Sequence, residues 1–248
     1  MTGARKLLGA GLATLVALGL LVALGVWQLE RLAWKNDLVA RISARTEAPP
    51  VAAPAEADWP ALDFDAWGYR RVNLTGTFAH QNEVRVYVAL GDARGPLSGP
   101  GYFVLTPLVR ADGSAVIVNR GFVPEPLGDP ARRPETLVAG PVTVTGLLRV
   151  PEDRNLFTPA DDPAKRLFFA RDPKAIAAGL RLTRVAPFTV DADATPNPGG
   201  LPQGGETRLT FPNRHLEYAL TWFGLAAALA AVFAVYAVRA LREGKQTR

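Results

Sequence analysis

Cysteine is missing from this 248-residue chain, and histidine occurs only twice, at His80 and His215. Without cysteine there can be neither a disulfide framework nor a thiolate-held zinc or copper. No Gly-x-Ser-x-Gly and no His-Glu-x-x-His is present either, so the usual hydrolase and metalloprotease layouts have no residues to stand on. The acid pairs Glu152-Asp153 and Asp161-Asp162 sit in polar stretches beside proline and read as solvated turns, not as paired catalytic carboxylates. Enzymatic turnover is not expected.

Surplus charge is also missing from the middle of the chain. The total is 28 Lys+Arg against 23 Asp+Glu. Arg5, Lys6, Arg239, Arg242, Lys245 and Arg248 face only Glu243 in the two tails, which accounts for the whole excess of five. Residues 30–217 balance at 22 of each sign. A nucleic-acid-binding face needs a local surplus of Lys and Arg, so nucleic acid is not an expected partner.

Two long stretches carry no charge at all, residues 7–29 and 218–238. About 20 residues at ~1.5 Å each cross a bilayer core of ~30 Å. Basic tails outside both runs fit the positive-inside rule, with both termini cytoplasmic and the middle segment on the other side. Ala23-Leu24-Gly25 has small residues at a signal-peptidase spacing, but the apolar run continues past it, so an uncleaved span is expected. Gly9, Ala13 and Ala17 recur every four residues, as do Ala226, Ala230 and Ala234. Such spacing lets helices approach closely in lipid.

What is present between the spans alternates as strands do. The first span continues as a helix to about residue 45, with Trp27, Arg31, Trp34 and Leu38 on one stripe. Residues 46–66, rich in Ala and Pro, read as a linker. Strand character follows at 69–78, 83–90, 102–110, 114–123, 142–150 and 188–190, with Asp112-Gly113 marking a hairpin. Asp172 and Pro173 open a short helix that Gly179 ends. The expected fold class is an α+β membrane protein, two transmembrane helices flanking a mainly antiparallel β domain, sheet or small barrel, with one short helix. The divisions are a tail at 1–6, a span at 7–29, its helical extension at 30–45, the linker at 46–66, the β domain at 67–212, a second span with an interfacial His at 213–238, and a basic tail at 239–248.

Three positions invite a chemical reading. Arg120 follows the apolar run Val116-Ile117-Val118 and must find water, a carboxylate or a ligand acid. It either pairs inside the domain, fixing the turn at Gly121, or contacts a partner. His80, after Phe78-Ala79, reads as an exposed loop residue. His215 lies just before the second uncharged run, with Tyr218, Ala219, Trp222 and Ala226 on its helical face. It either caps the helix at the polar interface or ligates the metal of a flat apolar cofactor such as haem, the alanines leaving room.

The segment Gly25-Val26-Trp27-Gln28-Leu29-Glu30-Arg31-Leu32-Ala33-Trp34-Lys35 resembles the first signature of the Surfeit locus protein 1 family, assembly factors for haem-copper cytochrome c oxidase. Asn119-Arg120-Gly121-Phe122-Val123-Pro124 resembles its central motif, and Asn213-x-His215-Leu216-x-Tyr218 with Thr221-Trp222-Phe223-Gly224-Leu225 resembles its signature at the second span. The resemblance implies a bacterial inner-membrane protein with a periplasmic main domain. It implies transient binding of haem a and its insertion into oxidase subunit I, with a haem a synthase as a further partner and membrane lipid around the spans. His215 falls on the family's haem ligand and thus on the only expected metal contact, haem iron. Tyr218, Trp222, Trp27 and Gln28 become haem-pocket candidates. Arg214, Arg31 and Lys35 become candidates for pairing with the propionates, and Asn119, Arg120 and Phe122 for contacting the partner. The alternative is a cofactor-free membrane scaffold that stabilises a subunit I assembly intermediate.

Overall fold

The computed structural model describes residues 2–209 and 212–246; the last residue of the basic C-terminal tail, Arg248, lies outside them. The chain divides into two units. One comprises residues 1–41 and 210–248, the other residues 42–209.

The first unit is helical. Helix α1 (Thr2–Glu47) and helix α4 (His215–Gln246) are both long and apolar enough to cross a membrane. Gly25 is buried in this unit, and a Cβ placed there would lie 2.5 Å from the Phe223 ring, so the ring lies where a larger residue would stand. Gly11 approaches Phe233 in the same way, its virtual Cβ at 3.4 Å. The stripe of four-residue spacings is therefore only partly the contact. Ala226 is buried, but Gly9 meets nothing and Ala13, Ala230 and Ala234 are exposed. The turns that meet carry Gly11, Gly25, Phe223 and Phe233, because large rings set into glycine gaps gain contact that paired alanines do not.

The second unit is a β-barrel with additions. Its strands are β1 (Val51–Ala52), β2 (Arg71–Phe78), β3 (Val84–Leu90), β4 (Gly99–Val109), β5 (Ala115–Pro124), β6 (Pro141–Arg149), β7 (Leu167–Phe168) and β8 (Val185–Ala192). Their order is β1-β2-β6-β8-β5-β4-β3-β7, and an extra pairing of β2 with β4 closes β2, β6, β8, β5 and β4 into a ring. Most pairings are antiparallel, as alternation with short turns requires, but β5–β8, β1–β2 and β3–β7 are parallel. The β4–β5 hairpin turns at Asp112-Gly113, where the Asp112 carboxylate accepts the Ser114 N–H at 2.8 Å.

Strand β5 is buried on both faces, which is why it reads as a continuous apolar run. Val116 and Val118 join Val72, Leu74, Leu108, Leu148, Phe188 and Val190 in one core cluster; Ile117 and Phe122 join Val84, Val86, Leu105, Phe168 and Ile176 in another. Helix α3 (Pro173–Leu180), capped by the Asp172 carboxylate on Lys174 N–H, supplies Ile176 to that second cluster.

Residues 46–66 are not a linker. They hold β1 and a 3-10 turn, lead through Asp63 into the one-turn helix α2 (Phe64–Trp67), and lay Val51, Trp59, Leu62, Phe64 and Trp67 against the first core cluster. Proline content argued for an extended spacer. The apolar contact outweighs it, since even part of the roughly 1.5–3 kcal/mol that full burial of one such ring contributes adds up over three rings.

Candidate functional site

Helix α4 begins at His215, and its first turn is fastened to α1. The Asn213 side chain accepts the His215 backbone N–H at 3.3 Å and donates to Asn36 Oδ1 at 3.0 Å. Lys35 Nζ donates to the Pro212 carbonyl. These contacts hold the residues before the helix, and so set where the imidazole stands.

His215 is half-buried, and its Nδ1 lies 2.7 Å from Oε1 of Gln28, a residue only 8 % exposed. An amide oxygen only accepts, so Nδ1 carries the proton and donates it. In a neutral imidazole held this way the lone pair falls on Nε2, the arrangement in which imidazole binds a metal. Among the described residues no group of three or more His, Cys, Asp and Glu side chains could hold an ion.

The remaining predicted neighbours separate. Ala219 and Ala226 are 1 % and 7 % exposed, and thus enclosed by protein rather than leaving an open slot. Trp222 is half-buried, whereas Tyr218 and Trp27 are 53 % and 50 % exposed and face outward from the helical unit. Arg214 is exposed; Arg31 is exposed and lies over the Trp34 ring at 4.3 Å; Lys35 is engaged with Pro212. The stripe Trp27, Arg31, Trp34 is accordingly the outer one. Gly25, Gln28, Leu32 and Lys35 line the inner one, because in lipid the large apolar side chains face the solvent and small or polar ones face the partner helix.

The central motif lies in the barrel, and its residues are inside. In the β4–β5 pairing Leu105 opposes Asn119 and Val104 opposes Gly121, so Arg120 is the extra residue of a β-bulge. Gly121 has φ +129°, and a Cβ there would fall 2.1 Å from the Gln203 carbonyl, so no other residue fits. Asn119 donates to Asp191 at 2.9 Å and Phe122 belongs to the second core cluster. Asn119, Arg120 and Phe122 are 5 %, 1 % and 0 % exposed. The expectation that they contact a partner gives way to the other reading, an arginine paired inside the domain at a turn only glycine can make.

That pairing is crowded. Glu83, buried at 4 %, forms an ion pair with Arg133 and lies 3.9 Å from Arg120 Nη1. Arg120 also donates to the Thr136 carbonyl and stands 5.0 Å over the Phe78 ring. Burial lowers the Arg120 pKa to about 10, Glu83 opposing the shift and Arg133 adding to it. His80 is not an exposed loop residue. Its Nε2–H donates to the Val138 carbonyl at 2.9 Å while Nδ1 is buried without a hydrogen-bond partner among the described residues. Desolvation lowers its pKa, the Val138 carbonyl opposing and Arg120 contributing. A base with a depressed folded pKa favours the neutral form. The unfolded chain then binds the extra proton as pH falls through ~6.5, and stability falls with it until the folded group also protonates. Urea midpoints between pH 7.5 and 5 should decline less steeply for His80→Gln than for the parent chain.

The acidic turns are structural as well. Glu152 is held by Arg171, which also reaches buried Asp191 at 3.0 Å; Arg154 pairs with Asp161 at 2.6 Å. Glu152 and Asp161 are thus each paired with an arginine, while the Glu152 and Arg154 side chains stay 38 % and 34 % exposed.

A model of the SURF1 family matches residues 15–227 of this chain. The chain belongs to the SURF1 family. Surfeit locus protein 1 of Rattus norvegicus is 36% identical over 215 residues, covering 83% of this chain and 68% of the rat protein. The Homo sapiens protein of the same name is 36% identical over 216 residues, 83% of this chain and 70% of its own length. The SURF1-like protein of Monosiga brevicollis is 35% identical over 222 residues, 85% and 80% respectively. SURF1 membership, together with the two apolar helices, makes this a membrane protein, and it implies a role in cytochrome c oxidase assembly.

Proposed function

We propose that the chain is an inner-membrane assembly factor that holds haem a on His215 for insertion into subunit I of cytochrome c oxidase, without catalytic turnover. Its barrel would lie in the periplasm and both termini in the cytoplasm, in keeping with the six basic residues of the tails. A haem a synthase would be the donor.

The observation that carries this reading is the 2.7 Å contact between Gln28 and His215. A metal-bound histidine commonly donates its other ring N–H to a carbonyl or carboxylate, which fixes the ring and raises its basicity. Gln28 provides that acceptor before any metal arrives. When bound, the iron porphyrin is the electron-carrying group that the oxidase needs. What this chain contributes is the ligand, its orientation and its surroundings. Asn213, Asn36 and Lys35 fix the start of α4; Trp222 and the exposed Tyr218 and Trp27 offer aromatic surface; Arg214 and Arg31 are exposed cations suited to propionates. With Ala219 and Ala226 enclosed, a macrocycle would rest on the lipid-facing side of the helical unit rather than in a slot.

The test is the spectrum of the full chain, purified in mild detergent from cells that make haem a, followed by titration with haem a. Gln28→Leu should weaken the complex about 10- to 100-fold, the usual cost of losing such a partner, and Gln28→Glu should recover most of it. A parent chain with no haem a absorbance, loaded or titrated, would sink the proposal.

A further inference from the structure

The loop between β6 and β7 carries two large apolar side chains at its tip. Leu156 is 97 % exposed and Phe157 90 %. They take the central positions of a turn over residues 155–158, where glycine, asparagine, aspartate or serine would be usual. The turn is firmly built. Asn155 Oδ1 accepts the Phe157 N–H at 2.9 Å, the Thr158 N–H donates to the Asn155 carbonyl at 3.0 Å, and the Asn155 N–H donates to Thr158 Oγ1 at 3.1 Å. Below it, Arg154 closes the neck of the loop on Asp161 at 2.6 Å and on the Pro159 carbonyl. Side chains this exposed add almost nothing to the core, so the gain from burying them is left for a contact outside the chain.

The neck continues into aromatic surface. Asp161 Oδ1 accepts the Phe169 N–H at 2.9 Å, the Phe169 ring lies 6.4 Å from that of Tyr87, and the Tyr87 ring lies 6.0 Å from that of Tyr102. Tyr87 is 44 % exposed, and the other two are half-buried. Phenylalanine and tyrosine are enriched at the centres of protein–protein interfaces.

Charge decides between a protein and a lipid surface. Residues 151–163 hold four carboxylates and one guanidinium. Arg171 pairs with Glu152 and Lys165 with Asp162, but exposed Asp153, three residues before Leu156, has no ion-pair partner among the described residues. Segments that dip into a bilayer carry Lys and Arg beside their apolar side chains. An apolar tip beside a free carboxylate fits instead an apolar socket with a basic rim on another protein.

We propose that Leu156 and Phe157 are the anchors by which an oxidase subunit under assembly docks on the barrel domain, the two side chains entering such a socket and Tyr87 and Phe169 lying at its edge. The inference rests on the assembly role, but not on His215 or on haem.

The full chain is produced in cells that assemble the oxidase, with the photo-crosslinking residue p-benzoylphenylalanine in place of Phe157 or, as control, of exposed Ala57, which follows β1 at the other end of the strand order. The Phe157 position should give an adduct that contains an oxidase subunit, and the Ala57 position should not. Purified in mild detergent, the Leu156→Ser, Phe157→Ser double variant should retain at least about 10-fold less oxidase subunit than the parent, because both anchors are lost. Its unfolding midpoint and haem a spectrum should match the parent's, since neither side chain packs in the fold. An adduct with phospholipid, an adduct with a second copy of this chain, equal adducts at both positions, or undiminished retention by the double variant overturns the proposal and leaves the assembly role standing. A parent chain that itself retains no oxidase subunit overturns both.

Discussion

His215→Ala should cost the purified protein its haem a spectrum and raise the dissociation constant in titration by more than about 100-fold. Removing an outer partner of a ligating imidazole already costs 10- to 100-fold, so removing the ligand itself must cost more. The effect should be confined to binding. His215 stands at the first residue of α4, where the ring takes no part in the helix hydrogen-bond ladder, and Asn213, Lys35 and Asn36 still fasten the segment. Free imidazole, which can supply the missing nitrogen, should restore part of the spectrum. His80→Ala serves as control. Its Nε2 is taken by Val138 and its ring lies among the barrel residues, so the spectrum should not change. If His215→Ala left both spectrum and affinity intact, iron would be held elsewhere or not at all. If the variant also supported normal oxidase assembly, the cofactor-free scaffold would be the better account.

Much of this architecture was legible in residue order. Period-two alternation marked the main strands, Asp112-Gly113 marked the hairpin, and two uncharged runs marked the spans, because each of these signals acts over a few neighbouring residues. What escaped were pairings between distant residues. Gln28 and His215 are 187 positions apart, and nothing local to either points to the other. Trp27 and Gln28 both belong to the first signature, yet one residue on a helix turns the side chain by ~100°, which decides which of the two meets His215. Hydrophobic periodicity favoured the tryptophan stripe and was inverted by the lipid. In the barrel, Arg120 was open to two readings, pairing inside the domain or contact with a partner, because arginine is almost never fully buried unless paired. Its partner Glu83 lies on the loop before β3, and the bulge that turns Arg120 inward shows only as a slip in the β4–β5 register. The parallel β5–β8 pairing and the closure of β2 on β4 are likewise long-range facts, carried by no single segment.

Glu83→Ala should destabilise the barrel by about 3–5 kcal/mol, the usual cost of removing one member of a buried ion pair. Glu83 is the sole carboxylate in contact with two buried guanidiniums among the described residues. Its loss strands Arg133, at 0 % side-chain exposure, and Arg120, at 1 %, in a medium where like charges repel strongly. At the low end of the usual total stability of about 5–15 kcal/mol that is enough to leave a large fraction unfolded. In thermal unfolding it corresponds to a midpoint lowered by roughly 10 °C for a domain of this size. Glu83→Gln, which keeps shape and can still accept a hydrogen bond, should lose nearly as much, because the deficit is one of charge and not of packing. The decisive comparison is a pair substitution. Glu83→Leu combined with Arg133→Met removes the central ion pair and fills its volume with apolar atoms, leaving Arg120 with Thr136 and Phe78. It should recover much of the loss seen in Glu83→Leu alone, since an apolar replacement of a buried pair is often neutral. A Glu83→Ala protein with an unfolding midpoint within 2 °C of the parent would mean that solvent reaches these guanidiniums and that their charge is not buried.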